Sequence, residues 1–342
     1  MRRKASDGRA VGRLGGWVLP IAFLFLTAQP PNRLDAQDLP LNAGALFLVF
    51  PVGAQAVGMG QTATAAAGRG EAAFWNPAGL ATLSEDEFAL HSANLVAGRS
   101  NVVGAYFPSR GIGVIGGAVY LVDYGDLDRT DVNGNTIARI APRNLEFLAS
   151  YATNLTGSFA FGLSYKLVQF RVDCSGDCRD FPAGTGATHA LDLGGQFRIG
   201  AAGPLRVGVA VRNVGFRLQV QNQAQADPLP TRLAIGALYE VRLRPPTGGA
   251  LDQAFDVKLA ADVDSPWGQV GQSETRLGLD IGYQRLVRVR AGYAFVQDGL
   301  SGPSVGLGVE SGSLGVDLAR AFLTNSDLQA PSPTFFSFRV TF

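Results

Sequence analysis

The sequence predicts an all-β protein, a 14-stranded antiparallel transmembrane β-barrel with an N-terminal plug of small helices inside its lumen. Three observations predict it. The chain ends in a strand with one apolar face, formed by Phe336, Phe338, Val340 and Phe342. Thirteen further segments alternate apolar and polar residues, and most are near the length that a tilted membrane strand needs. The connections between them are alternately long and short, which is typical of outer-membrane barrels.

Composition excludes several other classes of protein. The chain has 342 residues, 44 of them glycine, and only 17% are charged. Neither a disordered chain nor a coiled coil has that composition. No run of eighteen or more apolar residues is found, so no membrane-spanning helix is expected. A chain that enters a membrane without such a helix must do so as a closed barrel.

Residues 1–36 predict a secretory signal peptide. Arg2, Arg3 and Lys4 open a positive region, and the apolar stretch 17–28 is too short to span a membrane. Cleavage is expected near Ala36. Its removal takes away six basic and two acidic residues and leaves a net charge of about −3. A chain of that charge lacks the basic stripe that nucleic acids need, so no nucleic-acid partner is expected.

The sequence predicts the plug at residues 37–86 and the barrel at residues 87–342. The first stretch is rich in Ala and Gly and alternates little, which favours close backbone packing. Asn76-Pro77, followed by Ala78-Gly79, predicts a fixed turn into a short helix. The residues predicted to matter most in this plug are Gly53, Met59, Gly60, Trp75, Asn76, Pro77 and Gly79.

Fourteen strands are predicted after the plug. They fall roughly at residues 87–97, 101–108, 111–122, 143–153, 157–171, 187–199, 204–213, 231–243, 254–263, 273–283, 286–297, 302–310, 313–322 and 333–342. In the eleventh, Val287 and Val289 point outward while Arg288 and Arg290 point inward. An even number of strands puts both termini on one side, which for an outer-membrane barrel is the periplasm.

Four arginines are predicted to face the lumen, namely Arg206, Arg212, Arg288 and Arg290. One interpretation is that they line a path for anions. The more usual one is that such residues pair with lumenal carboxylates or with the plug. The carboxylates available for pairing are Asp256, Asp280 and Asp317.

The third predicted strand contains Gly111-Ile112-Gly113 and then Gly116-Gly117. The letters match a dinucleotide-binding fingerprint, but strands flank them and no helix follows, which excludes that interpretation. Val114 and Ile115 break the alternation just before the glycine pair. This predicts a bulge or kink in the strand. The alternative is that glycine here only relieves barrel curvature.

The plug residues resemble the N-terminal signature of the PorV/PorQ family. The matching residues are Gly53-Ala54, Met59-Gly60 and Phe74–Leu80, together with Asp227–Arg232 before a mid-barrel strand. The Asn-Pro-Ala-Gly-Leu block is also similar to FadL-type barrels, to which PorV-like proteins are distantly related. The chain departs from the family at Gln61, where a glycine is frequent. It departs again at Gly68–Glu71, where the family has an acidic pair.

The resemblance implies a non-enzymatic protein of the bacterial outer membrane that needs no cofactor. Some PorV/PorQ members bind secreted cargo proteins in type IX secretion and pass them to the attachment machinery. Loops 123–142 and 214–230 would meet such cargo. In FadL-type transporters a kink in the third strand opens a side exit from the lumen, and Gly116-Gly117 would be that kink here. The C-terminal strand resembles the signal that the barrel-assembly machinery reads, with Phe338 and Phe342 as its aromatic residues.

Other motifs predict less. Cys174 and Cys178 lie in a long loop of an exported chain and suggest a disulfide, because two thiols alone lack the ligands for a metal. The two histidines, His91 and His189, belong to no triad pattern, so no catalytic residue is predicted. The loop at Asp131 lacks the glycine position and closing Glu of a calcium loop. Its Asn133-Gly134 instead predicts a hairpin turn.

These patterns and the resemblance are compatible with three functions. The first is a binding or shuttle component for exported proteins. The second is a FadL-like channel for the uptake of hydrophobic small molecules. The third, a general diffusion porin, is disfavoured by the plug. The expected partners are outer-membrane lipid, the assembly machinery, and either a cargo protein or a hydrophobic ligand.

Overall fold

The computed structural model describes residues 44–179, 184–200, 203–219, 226–243, 255–267, 273–284, 286–296, 300–324 and 332–342. The predicted signal peptide and its cleavage point lie outside these residues. The strands are β1 (Glu87–Leu95), β2 (Gly98–Ser109), β3 (Gly113–Asp123), β4 (Leu127–Thr130), β5 (Thr136–Asn154), β6 (Phe159–Gly176), β7 (Gly184–Ile199), β8 (Leu205–Gly215), β9 (Arg232–Leu243), β10 (Phe255–Pro266), β11 (Glu274–Tyr283), β12 (Val287–Phe295), β13 (Gly302–Ser311), β14 (Leu314–Ala321) and β15 (Thr334–Thr341).

The strands form one closed antiparallel ring. Sequence neighbours pair along the sheet, β1 pairs with β15, and β3 pairs with β5, which completes the circle. The short strand β4 pairs with β5 alone and is not part of the ring. Fourteen of the described strands therefore make the wall. The predicted fold class is confirmed, and each of the fourteen predicted segments overlaps one strand of the ring.

The two faces of the wall differ as the alternation predicts. Along β6 the inward residues Ala160, Ser164 and Lys166 are buried. Outward residues such as Leu259, Val289 and Leu307 are 52%, 52% and 56% exposed. An apolar surface of this kind all round a closed sheet would be unfavourable in water, and a hydrocarbon layer solvates it. Arg206, Arg212, Arg288 and Arg290 point inward, as predicted.

The last strand keeps the predicted two faces. Phe336 is 44% exposed on the outer face, and Ser337 is buried on the inner face. Phe338 lies on the same outer face, and the terminal Phe342 is 71% exposed. The role of this strand, with Phe338 and Phe342, as an assembly signal stays a prediction.

The ring has two distinct ends. At one end, here called the terminal end, the backbones of Asp86 and Phe342 exchange hydrogen bonds of 3.2 and 3.1 Å. The turns 110–112, 155–158 and 312–313 lie at this end. The opposite end, the loop end, carries the connection from β8 to β9 and the hairpin of β4 and β5.

The even number of strands suggests that the chain enters the barrel at the terminal end, but the described part of the plug begins at the loop end. The N–H of Gly44, the first described residue, donates to Pro228 O at 2.9 Å, at the loop end. The plug therefore runs the length of the lumen and leaves at Asp86. An even strand count fixes only the two ends of the sheet, and the chain before β1 crosses the ring once more. The placement of both termini in the periplasm stays a prediction, because residues 1–43 lie outside the described part of the chain.

The sequence predicts a long loop over the connection 123–142 with a hairpin turn at Asn133-Gly134; the structure confirms the turn and adds strand pairing on both sides of it. The connection holds β4 and the first part of β5, which pair as a hairpin beyond the rim. The turn between them is built by Asp131, whose carboxylate accepts from the N–H groups of Asn133 and Asn135. These hydrogen bonds, with the one from the Asn135 side chain, lower the pKa of Asp131. Gly134 there has a φ of 85°.

The predicted bulge at Gly116-Gly117 is absent from the structure. β3 pairs residue for residue with β2 and with β5 across both glycines, so the wall is closed at this point. Gly116 is needed for another reason, because a Cβ there would overlap the ring of Tyr106. A register shift does occur between β7 and β8, where Asp192 faces the extra residues Arg212 and Asn213. Asn213 adopts a φ of 59° and donates its N–H to Asp192 Oδ1 at 2.7 Å.

Candidate functional site

Four short helices inside the ring form the plug. Three are 3₁₀ helices, Leu46–Val49, Gly70–Phe74 and Pro77–Thr82, and one is an α-helix, α1 (Ala54–Gly58). No described helix has the length and apolar character that crossing a membrane requires. Most of their residues are buried. Because the segment is full of Ala and Gly, its backbone approaches the wall directly.

Six inward glycines form a belt where the plug backbone touches the wall. This glycine belt consists of Gly162, Gly194, Gly208, Gly278, Gly292 and Gly306, one from each of six strands. A Cβ at Gly292 would overlap the backbone of Gly60, and one at Gly162 would overlap Pro77. No side chain fits between plug and wall at these points, so the belt fixes how deep the plug sits.

The predicted plug glycines are required by contacts. Gly53 has a φ of 92°, and a Cβ there would overlap the carboxylate of Glu71. Gly60 has a φ of 66°, and its N–H donates to Ser304 Oγ of β13 at 3.1 Å. Gly79 lies against the carbonyl of Ala66.

Met59, Trp75 and Asn76 anchor the middle of the plug. Met59 is buried in a small cluster with Leu238 and Ala260 of the wall. Trp75 donates its Nε1–H to Val52 O at 2.9 Å, and its ring lies 5.4 Å from the guanidinium of Arg212. A cation over the face of an aromatic ring is attracted by the ring electrons.

The side chain of Asn76 links the plug to the wall by hydrogen bonds. Its Nδ2 donates to Thr64 O at 2.7 Å, to Gly195 O at 3.2 Å and to Val209 O at 3.3 Å. Its Oδ1 accepts from the N–H of Ala78 at 3.1 Å and so caps the helix that begins at Pro77. The predicted turn at Asn76-Pro77 is therefore also the point at which the plug bonds to β7 and β8.

A network of ion pairs lines the lumen from β10 round to β1. This charged wall comprises Asp256, Asp280, Arg288, Arg290, Glu310, Asp317, Arg339 and Glu87. Arg290 lies between two carboxylates, 3.0 Å from Asp280 and 2.6 Å from Asp317. Arg69 of the plug binds both Glu310 and Asp317 and so joins the plug to this side of the ring.

The lumenal arginines do not all behave alike. Arg288 and Arg290 pair with Asp256, Asp280 and Asp317, as the second sequence interpretation states. Arg212 pairs instead with Asp264, at 2.5 Å.

Arg206 forms no ion pair within the described residues and donates only to Ala65 O of the plug, at 3.4 Å.

The opposite side of the lumen carries a strip of buried apolar side chains. Phe47 and Phe74 of the plug pack against Tyr120 of β3, with ring centroids 5.7 and 6.1 Å apart. Around them a continuous strip of buried side chains extends from the loop end into the barrel. This apolar strip comprises Phe47, Leu48, Phe74, Val102, Tyr120, Val122, Leu148, Val168, Leu218 and Leu229. The charged wall thus lies across the lumen from a mainly apolar side, within which Lys166 forms a buried ion-pair group with Asp192 and Glu146.

Glu71 is the titratable group buried within the plug next to Gly53. Burial raises the pKa of Glu71 from its ordinary value of 4.5 to about 7, although Arg69 opposes the shift. A carboxyl whose pKa is higher in the folded state favours the fold when protonated. Its contribution is complete below pH 4.5 and is lost as the pH rises to about 7.

We therefore expect Glu71→Gln to stabilise the plug at pH 8 relative to the parent chain and to differ little from it at pH 4. The measurement is the protection of plug residues 44–86 from proteolysis at the two pH values. Asp86→Asn, at the end of the plug, is the control and should show no such growth with pH. An equal difference at both pH values would contradict the assignment to Glu71.

Both cysteines and both histidines have partners among the described residues. Cys174 and Cys178 are joined by a disulfide at the end of β6. His91 bonds Ser337 at 2.8 Å, and His189 bonds Tyr165 on the outer face. The described residues hold no group of three or more metal-binding side chains.

The closed fourteen-stranded ring, the outward apolar band and the filled lumen define a plugged β-barrel of the outer membrane. Similar solved structures share this fold. The toluene transporter TbuX of Ralstonia pickettii has a TM-score of 0.56 at 13% identity, covering 85% of this chain and 98% of its own. The toluene transporter TodX of Pseudomonas putida has a TM-score of 0.56 at 12% identity, with the same coverages. The monoaromatic hydrocarbon channel CymD reaches 0.55 at 15% identity, covering 85% and 97%.

No family profile and no curated protein matches the sequence. At identities of 12–15% the structural likeness shows the fold alone.

Proposed function

We propose that the protein conducts small hydrophobic molecules across the outer membrane. The apolar strip supports this most directly. A general porin has a polar, water-filled interior, which differs from the buried apolar strip of this barrel. Here buried aliphatic and aromatic side chains are continuous from Leu218 and Leu229 at the loop end to Phe74 near the plug centre. A hydrophobic solute would move along this strip, on the side of the plug that faces away from the charged wall.

The fold comparisons support the same proposal. Three of the similar structures carry names that describe transport of toluene or of monoaromatic hydrocarbons. In this chain the loop end would face the exterior, and Phe47 would have to move aside, because it is wholly buried on the strip. The protein would act without enzymatic chemistry.

The secretion role expected from the PorV/PorQ-like plug residues has less support. Its motif residues are explained by contacts within this barrel, and the similar structures are transporters and channels. Under that role the loop-end hairpin of β4 and β5 would meet the cargo. Co-purification of a secreted protein with the chain from native membranes would be its test.

Uptake of a labelled monoaromatic hydrocarbon by cells that express the chain tests the proposal. We expect Val122→Asp to lower uptake by more than about tenfold, because a carboxylate in the apolar strip raises the barrier for an apolar solute. Val122→Ala is the matched control and should keep uptake within about twofold. Both variants must migrate as folded barrels on heat-modifiability gels.

Two results would contradict the proposed function. One is equal uptake by cells with and without the chain. The other is large, steady ion conductance of the parent chain in planar bilayers, which would indicate a porin.

A further inference from the structure

Two arginines face each other across β7 and β8 at the terminal end. Arg198 and Arg206 are directly paired in the strand register, and both belong to the inward-facing sets of their strands. Like charges placed directly opposite each other in a sheet repel and destabilise the pairing. Elsewhere in the lumen the described arginines lie against carboxylates.

This pair lacks that compensation. Neither Arg198 nor Arg206 forms an ion pair with any carboxylate in the described part of the chain. Glu240 of β9 also attracts Arg206 electrostatically. The bond from Arg206 to Ala65 O is long at 3.4 Å, and a guanidinium has five N–H donors, so most donors of both residues have no partner within the described ranges.

The two side chains line a cavity of about 250 Å³ between the end of the plug and the wall. Beside Gly157 and Ala160, its other walls hold several polar side chains. Thr82 ends the last plug helix, and Thr156 and Ser158 belong to the turn between β5 and β6. Gln196 lies on the same face of β7 as Arg198 and donates to Thr64 O and Ala66 O, which fixes the plug above the cavity.

We propose that this cavity binds a phosphate group. Two adjacent guanidiniums supply two positive charges and paired N–H donors, which match the charge and the oxygens of a phosphate. The hydroxyl of Ser158 would supply a further hydrogen bond. An anion between the arginines would also remove their mutual repulsion. The phosphate belongs either to a soluble anion or to a phospholipid headgroup that reaches the terminal end of the barrel.

The site is independent of the proposed uptake function. It lies on β5–β8 at the terminal end, whereas the apolar strip is reached from the loop end. Loss of phosphate binding with uptake intact would affect this inference alone, and the reverse result would affect only the proposed function.

Binding is measured on the full chain in an uncharged detergent, by titration calorimetry with inorganic phosphate and with phosphatidylglycerol in mixed micelles. We expect Arg198→Gln and Arg206→Gln each to weaken binding by more than about tenfold. Arg110→Gln removes the same charge from the turn between β2 and β3 at the same end, and it should bind like the parent chain. A response to phosphate alone identifies a soluble anion, and a response to the lipid alone identifies a headgroup.

Thermal unfolding distinguishes binding from a structural role. Without any phosphate, Arg198→Gln should unfold at a higher temperature than the parent, because the repulsion is gone. Phosphate should then raise the midpoint of the parent and leave that of the variant unchanged. No binding of either probe, or equal binding by the parent and both pocket variants, would overturn the proposal.

Discussion

Replacing Gly292 by valine is expected to displace the plug and to let ions through the barrel. The wall and the plug touch backbone to backbone here, because Gly292 lies against Gly60. Backbone atoms cannot move aside as a flexible side chain can, so the added side chain cannot be accommodated in place. Overpacking costs about 1–3 kcal/mol, and the upper end applies where the contact is rigid. The measurements are ion conductance in planar bilayers and tryptic cleavage after Arg69.

The matched control is Gly157→Val in the turn between β5 and β6. A Cβ at Gly157 meets nothing within 4 Å, and its backbone needs no glycine. That variant should stay closed to ions and resistant at Arg69. If Gly292→Val is as silent and as resistant as the control, the glycine belt does not set the position of the plug.

Replacing Arg290 by methionine is expected to destabilise the barrel by about 3–5 kcal/mol. Arg290 is 1% exposed and separates the carboxylates of Asp280 and Asp317. Removing the cation leaves buried negative charge that Arg288 and Arg69 neutralise only in part. Urea unfolding in detergent, followed by tryptophan fluorescence, measures the loss.

Arg139→Met is the control, because Arg139 is an exposed arginine that pairs with Asp128 at 3.2 Å. Exposed ion pairs contribute about 0–1 kcal/mol, so this variant should unfold close to the parent chain. Adding Asp317→Asn to Arg290→Met should recover part of the stability. Similar small losses in Arg290→Met and Arg139→Met would show that the charged wall is not a structural element.

The wall of this barrel could be predicted from the sequence because its rule is local. A strand between lipid and lumen alternates every second residue, and β12, β13 and β14 obey that pattern closely. The pairing of Arg288 and Arg290 with lumenal aspartates followed from the same faces. The plug was predicted as a unit because its composition differs from that of the strands.

The remaining features depend on contacts between residues far apart in the chain. The strand register alone decides that Arg198 faces Arg206, and no local pattern carries that register. The bulge was expected at Gly116-Gly117 but occurs at Asp192, where the extra residues Arg212 and Asn213 are held by a side-chain bond. In sequence, a glycine that lets a strand bend cannot be distinguished from a glycine that makes room for a neighbouring backbone or side chain.

The path of residues 44–86 constrains the order of biogenesis. These residues enter at one rim and leave at the other, while β1 and β15 are hydrogen-bonded side by side. Inserting them into a finished ring would require threading the segment through a lumen that leaves no more room than the backbone of Gly60 and Pro77 fills at Gly292 and Gly162. We therefore expect the β1–β15 seam to close last, around a plug that has already compacted. Substitutions that slow the compaction of the plug should therefore leave chains whose β1–β15 seam is still open. This defect should appear before any change in the finished barrel.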